Sequence, residues 1–189
     1  MKKAQVGRAK RPAPPGVGSG ENIAAMIRVD HAGEYGAVRI YEGQLAVFGA
    51  RESRTAVAIK HMAAQEQEHL KAFDALINQR RVRPTALEPL WRAAGFALGA
   101  ATALMGEKAA MACTAAVEEV IDEHYAAQIE KLGDSDPELK KTVEAFRADE
   151  IVHRDTALAH GAEEAAGYRL LSGTIKAGCR LAIALSTKI

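Results

Sequence analysis

Two Glu-x-x-His pairs stand in step in this chain: Glu66–His69 in "QEQEHLKAF" and Glu150–His153 in "ADEIVHRDT", with both the glutamates and the histidines 84 residues apart. Residues i and i+3 are neighbours on a helix, so each pair can aim a carboxylate and an imidazole at one ion. A single such pair is weak, because 17 Glu and 6 His among 189 residues supply roughly half of one by chance. The register carries more. Another glutamate lies 32 residues before each, Glu34 and Glu118, again 84 apart, and the same offset aligns Tyr41 with Tyr125 and Gln44 with Gln128. A chain patterned this way reads as a tandem two-fold repeat, each half supplying a lone Glu, a Glu-x-x-His and an apolar helix.

Breaks between the apolar stretches mark six helices, and no alternating strand pattern competes with them, so the fold class is all-α. The expected helices run from Glu21 to Phe48, Glu52 to Arg80, 86 to 105 behind a Thr85 cap, Glu107 to Leu132, Pro137 to His160 and Glu163 to Thr187. Asp136 is the N-cap of the fifth, with Pro137 at its first helical position. Residues 21–189 form one domain. Residues 1–20 hold five Lys/Arg with Pro and Gly but no apolar run, which reads as a flexible basic tail, not a secretory signal; weak attraction to anionic lipid is its functional alternative. A net charge of +1 offers no argument for nucleic acid. Cys113 and Cys179 show neither metal spacing nor a disulfide framework and read as small buried apolar residues in a reducing compartment.

Two helices that each give one Glu, with two others that each give Glu-x-x-His, build the dinuclear carboxylate site of a ferritin-like four-helix bundle, here with two additional apolar helices. The expected metal ligands are Glu34, Glu66, His69, Glu118, Glu150 and His153. Four carboxylates balance two divalent ions, and oxygen donors with one nitrogen per metal suit iron or manganese better than zinc or calcium. Glu68 and Asp149 default to solvent, Glu119 points outward or sits beside a ligand, and His61 and His160 read as surface histidines. Asp30, one turn before Glu34, reads either as the acceptor of a ligand histidine's N–H or as a polar residue bonded to local backbone or water. In "VDHAGEYGAVRIYEGQ", His31 falls on Ala115 at the 84-residue offset, so Glu34 is read as the ligand and His31 as supporting or surface. Gly33, Gly36 and Gly43 suggest close helix approach or room for substrate.

Between Ala93 and Gly106 no residue is charged, a run of 14 that falls short of the roughly 18–20 needed to span a bilayer. The last helix is similarly apolar but carries Arg169, Lys176, Arg180 and Lys188. Basic residues around an apolar face suit a helix lying in a membrane interface; a core-facing helix is the alternative.

The stretches "MIRVDHAGEYGAVRIYEGQ", "QEQEHLKAF", "RPTALEPLWRAAGFALGAATAL", "AMACTAAVEEVIDEHY" and "AGCRLAIAL" resemble the demethoxyubiquinone hydroxylases of ubiquinone biosynthesis over residues 21–189. The resemblance implies a monooxygenase that uses O₂ and two Fe ions, with Mn as an alternative, to hydroxylate a polyprenylated methoxy-methyl-benzoquinol ring. One oxygen enters the ring and the other leaves as water. Electrons would come from NADH or the quinol, since no flavin or nicotinamide fingerprint is visible. It gives His124 and Tyr125 as ring or electron-transfer contacts, and the helices near 86–105 and 168–187 as the membrane-facing surface. It places the chain peripherally on the cytoplasmic face of a bacterial membrane, or on the matrix side of the mitochondrial inner membrane. It leaves room for a homo-oligomer and for lipid-binding or ubiquinone-biosynthesis partner proteins. A ferritin-type ferroxidase is the rival use of the same ligands, and a membrane-interacting scaffold with an incidental acidic interior is the non-enzymatic one.

Overall fold

The computed structural model describes residues 17–49 and 51–189, and all of its regular structure is helical. Helix α1 spans Val17–Phe48, α2 Arg54–Arg80, α3 Glu88–Leu104, α4 Glu107–Leu132, α5 Pro137–Ala159 and α6 Tyr168–Ser186, with a 3₁₀ turn at Ala162–Glu164. Helices α1, α2, α4 and α5 form the bundle; α3 packs along α1, and α6 packs on α4. Helix α1 begins at Val17, four residues before the expected start at Glu21; residues 1–16, most of the expected tail, lie outside the described residues.

Local chemistry explains the other boundary shifts. Helix α2 starts at Arg54 because the Ser53 side chain accepts the Ala56 N–H at 3.1 Å. Thr85 does not cap α3 directly; its hydroxyl accepts the Leu87 N–H, Leu87 is the N-cap, and Pro89 sits in the first turn. The last helix begins at Tyr168 and not at Glu163, since Gly167 at φ +68 separates it from the 3₁₀ turn. Asp136 caps α5 by accepting the Leu139 N–H at 3.1 Å, and it also pairs with Arg80, tying the end of α2 to the start of α5.

The bundle interior is layered. One apolar cluster holds Tyr41, Phe48, Ile59, Met62 and Met111; the other holds Ile27, Phe73, Ile77, Tyr125, Leu132, Leu139 and Val143. In each of the four bundle helices the expected metal-ligating residues fall between these clusters in sequence. A third cluster of Ile40, Cys113, Ala116, Val117 and Ile175 joins α1 and α4 to the outer helices. Cys113 is buried, and burial pushes its thiol up to about 12.

Glycine lets α3 approach α1 to backbone contact. A Cβ on Gly99 would overlap the Ile40 carbonyl oxygen, and one on Gly43 the Phe96 carbonyl oxygen. Gly33 and Gly36, by contrast, face open space. The outer helices leave Leu90, Leu104, Met105, Leu170 and Leu181 more than half exposed. No described helix is long and apolar enough to cross a membrane.

Gly99→Ala should therefore destabilise the chain by about 1–3 kcal/mol through overpacking, whereas Gly33→Ala should be neutral or stabilising by up to about 1 kcal/mol in thermal melts monitored by circular dichroism. Asp136→Asn keeps the cap but removes the charge that Arg80 pairs with. The Arg80 hydrogen bond holds the Asp136 carboxyl below its ordinary range. Its stabilisation, about 1 kcal/mol, is thus present above the unfolded carboxyl's value near 3.9 and is lost as pH falls through the folded value. Chemical unfolding of both proteins from neutral pH downward should show their difference vanish in that acid window.

Candidate metal centre

Each bundle helix brings its expected residue to the middle layer: Glu34 from α1, Glu66 and His69 from α2, Glu118 from α4, and Glu150 and His153 from α5. All six are at most 3% exposed. They form two overlapping groups. Donor atoms of Glu34, Glu66, His69 and Glu150 lie within 4.8 Å of one another, and so do those of Glu66, Glu118, Glu150 and His153. Glu66 and Glu150 belong to both.

The shared carboxylates divide their oxygens between the imidazoles. His69 Nδ1 lies 3.1 Å from Glu150 Oε1 and 3.9 Å from Glu66 Oε2; His153 Nδ1 lies 3.2 Å from Glu150 Oε2 and 3.0 Å from Glu66 Oε1. Glu34 Oε2 stands 3.5 Å from His69 Nδ1. Each imidazole thus turns Nδ1 inward and Nε2 outward. His69 Nε2 meets Asp149 Oδ2 at 3.1 Å, and His153 Nε2 meets Gln65 Oε1 at 3.2 Å. The His69 ring also stacks on Phe146 at 4.0 Å between centroids.

The lone glutamates are held by tyrosines from the opposite half of the chain. Tyr41 donates to Glu118 at 2.8 Å, and Tyr125 donates to Glu34. Beyond them, Gln44 donates to the Ala110 carbonyl and the Thr114 hydroxyl, while Gln128 donates to Asp30 at 2.6 Å.

Burying four carboxylates together sets their charges. Burial, reinforced by the neighbouring acids, pushes Glu34 up and Glu66 and Glu118 well up. Burial also acts to raise Glu150, but hydrogen bonds with His153 and His69 outweigh it and bring its carboxyl to about 2. For His69 burial acts to lower the imidazole; the Glu150 and Glu34 carboxylates reverse this and raise it to about 10. Both oxygens of Glu66, Oε2 of Glu34 and Oε2 of Glu118 are buried and, whatever imidazole nitrogen lies near, accept no well-directed hydrogen bond. Buried carboxyl oxygens without partners, gathered with two inward-facing imidazole nitrogens, are a donor set that fits a pair of divalent cations.

Of the other residues singled out, His61, Glu68 and Glu119 sit on the outside as expected, and several sit differently. Asp30 supports no inward-facing histidine: it accepts from Gln128 and pairs with His124 Nε2 at 3.0 Å. Tyr125 is buried against Glu34, while His124 lines a groove of about 560 Å³ bounded also by Met26, Val29, Lys131, Ile183 and Thr187. His31 is buried and pairs with Asp74, so it is not a surface residue. His160 is half-buried beside Thr55 at 3.3 Å, while His61 is exposed. Glu68 pairs with Lys71, and Glu119 with Lys176. Asp149 does more than face solvent, and Gln65, which the ligand spacing does not single out, meets His153. The signal for both was present, since Gln65 and Asp149 are themselves 84 residues apart.

The protein family described as ubiquinone biosynthesis protein COQ7 matches residues 21–186. A 3-demethoxyubiquinol 3-hydroxylase of Rhodospirillum rubrum is 56% identical over 167 residues, covering 88% of this chain and 78% of that protein. The human protein named NADPH-dependent 3-demethoxyubiquinone 3-hydroxylase, mitochondrial, is 53% identical over 173 residues, with the same coverage of 88% and 78%. The Saccharomyces cerevisiae 5-demethoxyubiquinone hydroxylase, mitochondrial, is 43% identical over 173 residues, covering 84% and 74%. An all-helical bundle with six buried acidic and imidazole groups at its centre, matched over nearly its whole length, belongs to the ubiquinone biosynthesis protein COQ7 family.

Proposed function

We propose that this chain is a di-iron monooxygenase that hydroxylates the ring of a polyprenylated demethoxyubiquinol. The observation that carries the reading is the pair of buried four-residue groups sharing Glu66 and Glu150, in a chain whose relatives are named hydroxylases of this substrate class. The proposed ligands are Glu34 and His69 for one ion, Glu118 and His153 for the other, and Glu66 and Glu150 for both. Two bound iron ions would supply the O₂-activating chemistry; manganese has the same donor preference.

The remaining work belongs to the protein's own groups. Tyr41 and Tyr125 hold Glu118 and Glu34 in place, and the outward partners of His69 and His153 keep each Nδ1 lone pair facing inward. The flanking apolar clusters exclude water from the layer between them. Tyr125 serves Glu34, and His124 on its groove is the better-placed candidate for touching substrate. The reciprocal Tyr41–Glu118 and Tyr125–Glu34 contacts support the reading of residues 21–189 as one domain made from two repeats.

An insoluble isoprenoid substrate suits a peripheral membrane protein, and the leucines that α3 and α6 expose support that placement. The eukaryotic relatives are named mitochondrial; the proposed placement is the matrix side of the mitochondrial inner membrane for a eukaryotic source and the cytoplasmic face of the membrane for a bacterial one. Reduced nicotinamide is the proposed electron source; the resemblance implies NADH, whereas mammalian relatives are named NADPH-dependent. A homo-oligomer or a lipid-binding partner could cover part of the apolar surface. The ferritin-type ferroxidase is not favoured, since that surface is unlike the hydrophilic exterior of a storage shell.

Protein loaded anaerobically with Fe(II), then given heavy-isotope O₂, reductant and a short-tail demethoxyquinol, should yield product heavier by one labelled oxygen atom. Glu150→Ala should lower turnover at least about 100-fold while helix content is retained. Unlabelled product, or full activity in Glu150→Ala, would contradict the assignment.

A further inference from the structure

The two halves of the centre match in geometry but not in charge. At the 84-residue offset, Asp149 corresponds to Gln65, and Asp30 corresponds to Thr114. The carboxylate of Asp149 accepts from His69, whereas the amide of Gln65 faces His153. Asp30 accepts from Gln128, where Thr114 meets Gln44. At both places the acid falls on the half that holds Glu34 and His69, and the neutral group on the half that holds Glu118 and His153.

From this we infer that the two metal positions are inequivalent: Asp149 is a positioning residue that makes the Glu34–His69 position the tighter site for a divalent cation. The inference rests on the metal reading proposed above. For His69 Nδ1 to offer its lone pair inward, Nε2 must carry the proton, and Asp149 at 3.1 Å is the group that takes that hydrogen bond. A carboxylate acceptor fixes the tautomer and ring orientation, and it makes the imidazole a stronger donor. Gln65 fixes the tautomer of His153 in the same way, with Oε1 necessarily turned to Nε2, but it brings no charge. Asp149 is 43% exposed, so solvent weakens its field without removing the contact. Outer partners of this kind change metal affinity by about 10–100-fold, and the partial exposure places Asp149 near the lower end.

Anaerobic Co(II) titration of the full chain, followed through the visible absorption of the bound ion, tests this without recourse to activity. The native protein should bind in two steps, the first at least about tenfold tighter than the second. Asp149→Asn keeps an acceptor of the same shape, so a merely steric role would leave the isotherm unmoved. It should instead weaken the first step about tenfold and bring the two steps together, with circular dichroism unchanged. Gln65→Glu should tighten the second step. Two equal steps in the native chain, or two unequal steps that Asp149→Asn leaves unchanged, would overturn the inference while sparing the metal reading. A native chain that binds no Co(II) would overturn both.

Discussion

Four carboxylates buried together at the middle of a helical bundle are the constraint on which the rest of this structure depends. Each carries a desolvation cost of several kcal/mol unless an opposite charge meets it. Two imidazoles answer only part of that charge: Glu150 is stabilised as the anion, while Glu34, Glu66 and Glu118 are pushed up. The surroundings make sense as support for such a layer. Tyrosines hold the two lone glutamates, Asp149 and Gln65 fix the outer imidazole nitrogens, and apolar clusters above and below supply burial that offsets the cost. Cations balancing the remaining charge are what the proposed function adds.

Legibility from sequence followed periodicity. Helix content and the grouping of the six acidic and imidazole residues could be read because both depend on spacing: i to i+3 within a helix, and a fixed offset between halves. Boundaries set by a single residue's conformation were harder. The Gly167 turn that starts α6 late and the position of Leu87 as N-cap depend on backbone angles that composition does not announce. Asp30, read either at a ligand histidine or on local backbone or water, instead braces His124 and Gln128. Spacing alone places a side chain on a face but does not say which of two nearby donors it will reach. Asp149 shows the converse. Its adjacency to Glu150 suggested solvent, yet a residue about 100° round the helix from an inward-facing one can still reach an imidazole on the neighbouring helix.

The outer helices answer a different demand. Helix α3 meets α1 backbone to backbone through Gly43 and Gly99, so it is fixed to the bundle without large side chains between them. Its far side, with that of α6, is left apolar and exposed. The same chain thus combines a charge-dense layer between apolar core clusters with exposed leucines on its two outer helices. That combination suits the proposed function, in which metal ions are held within and a lipid-soluble quinol is met at the surface.

The most direct test of the central claim is the iron content of the full chain after anaerobic Fe(II) loading and removal of unbound metal. The account predicts about two ions per chain, one for each group that shares Glu66 and Glu150. Retention of fewer than about one ion per chain would contradict it.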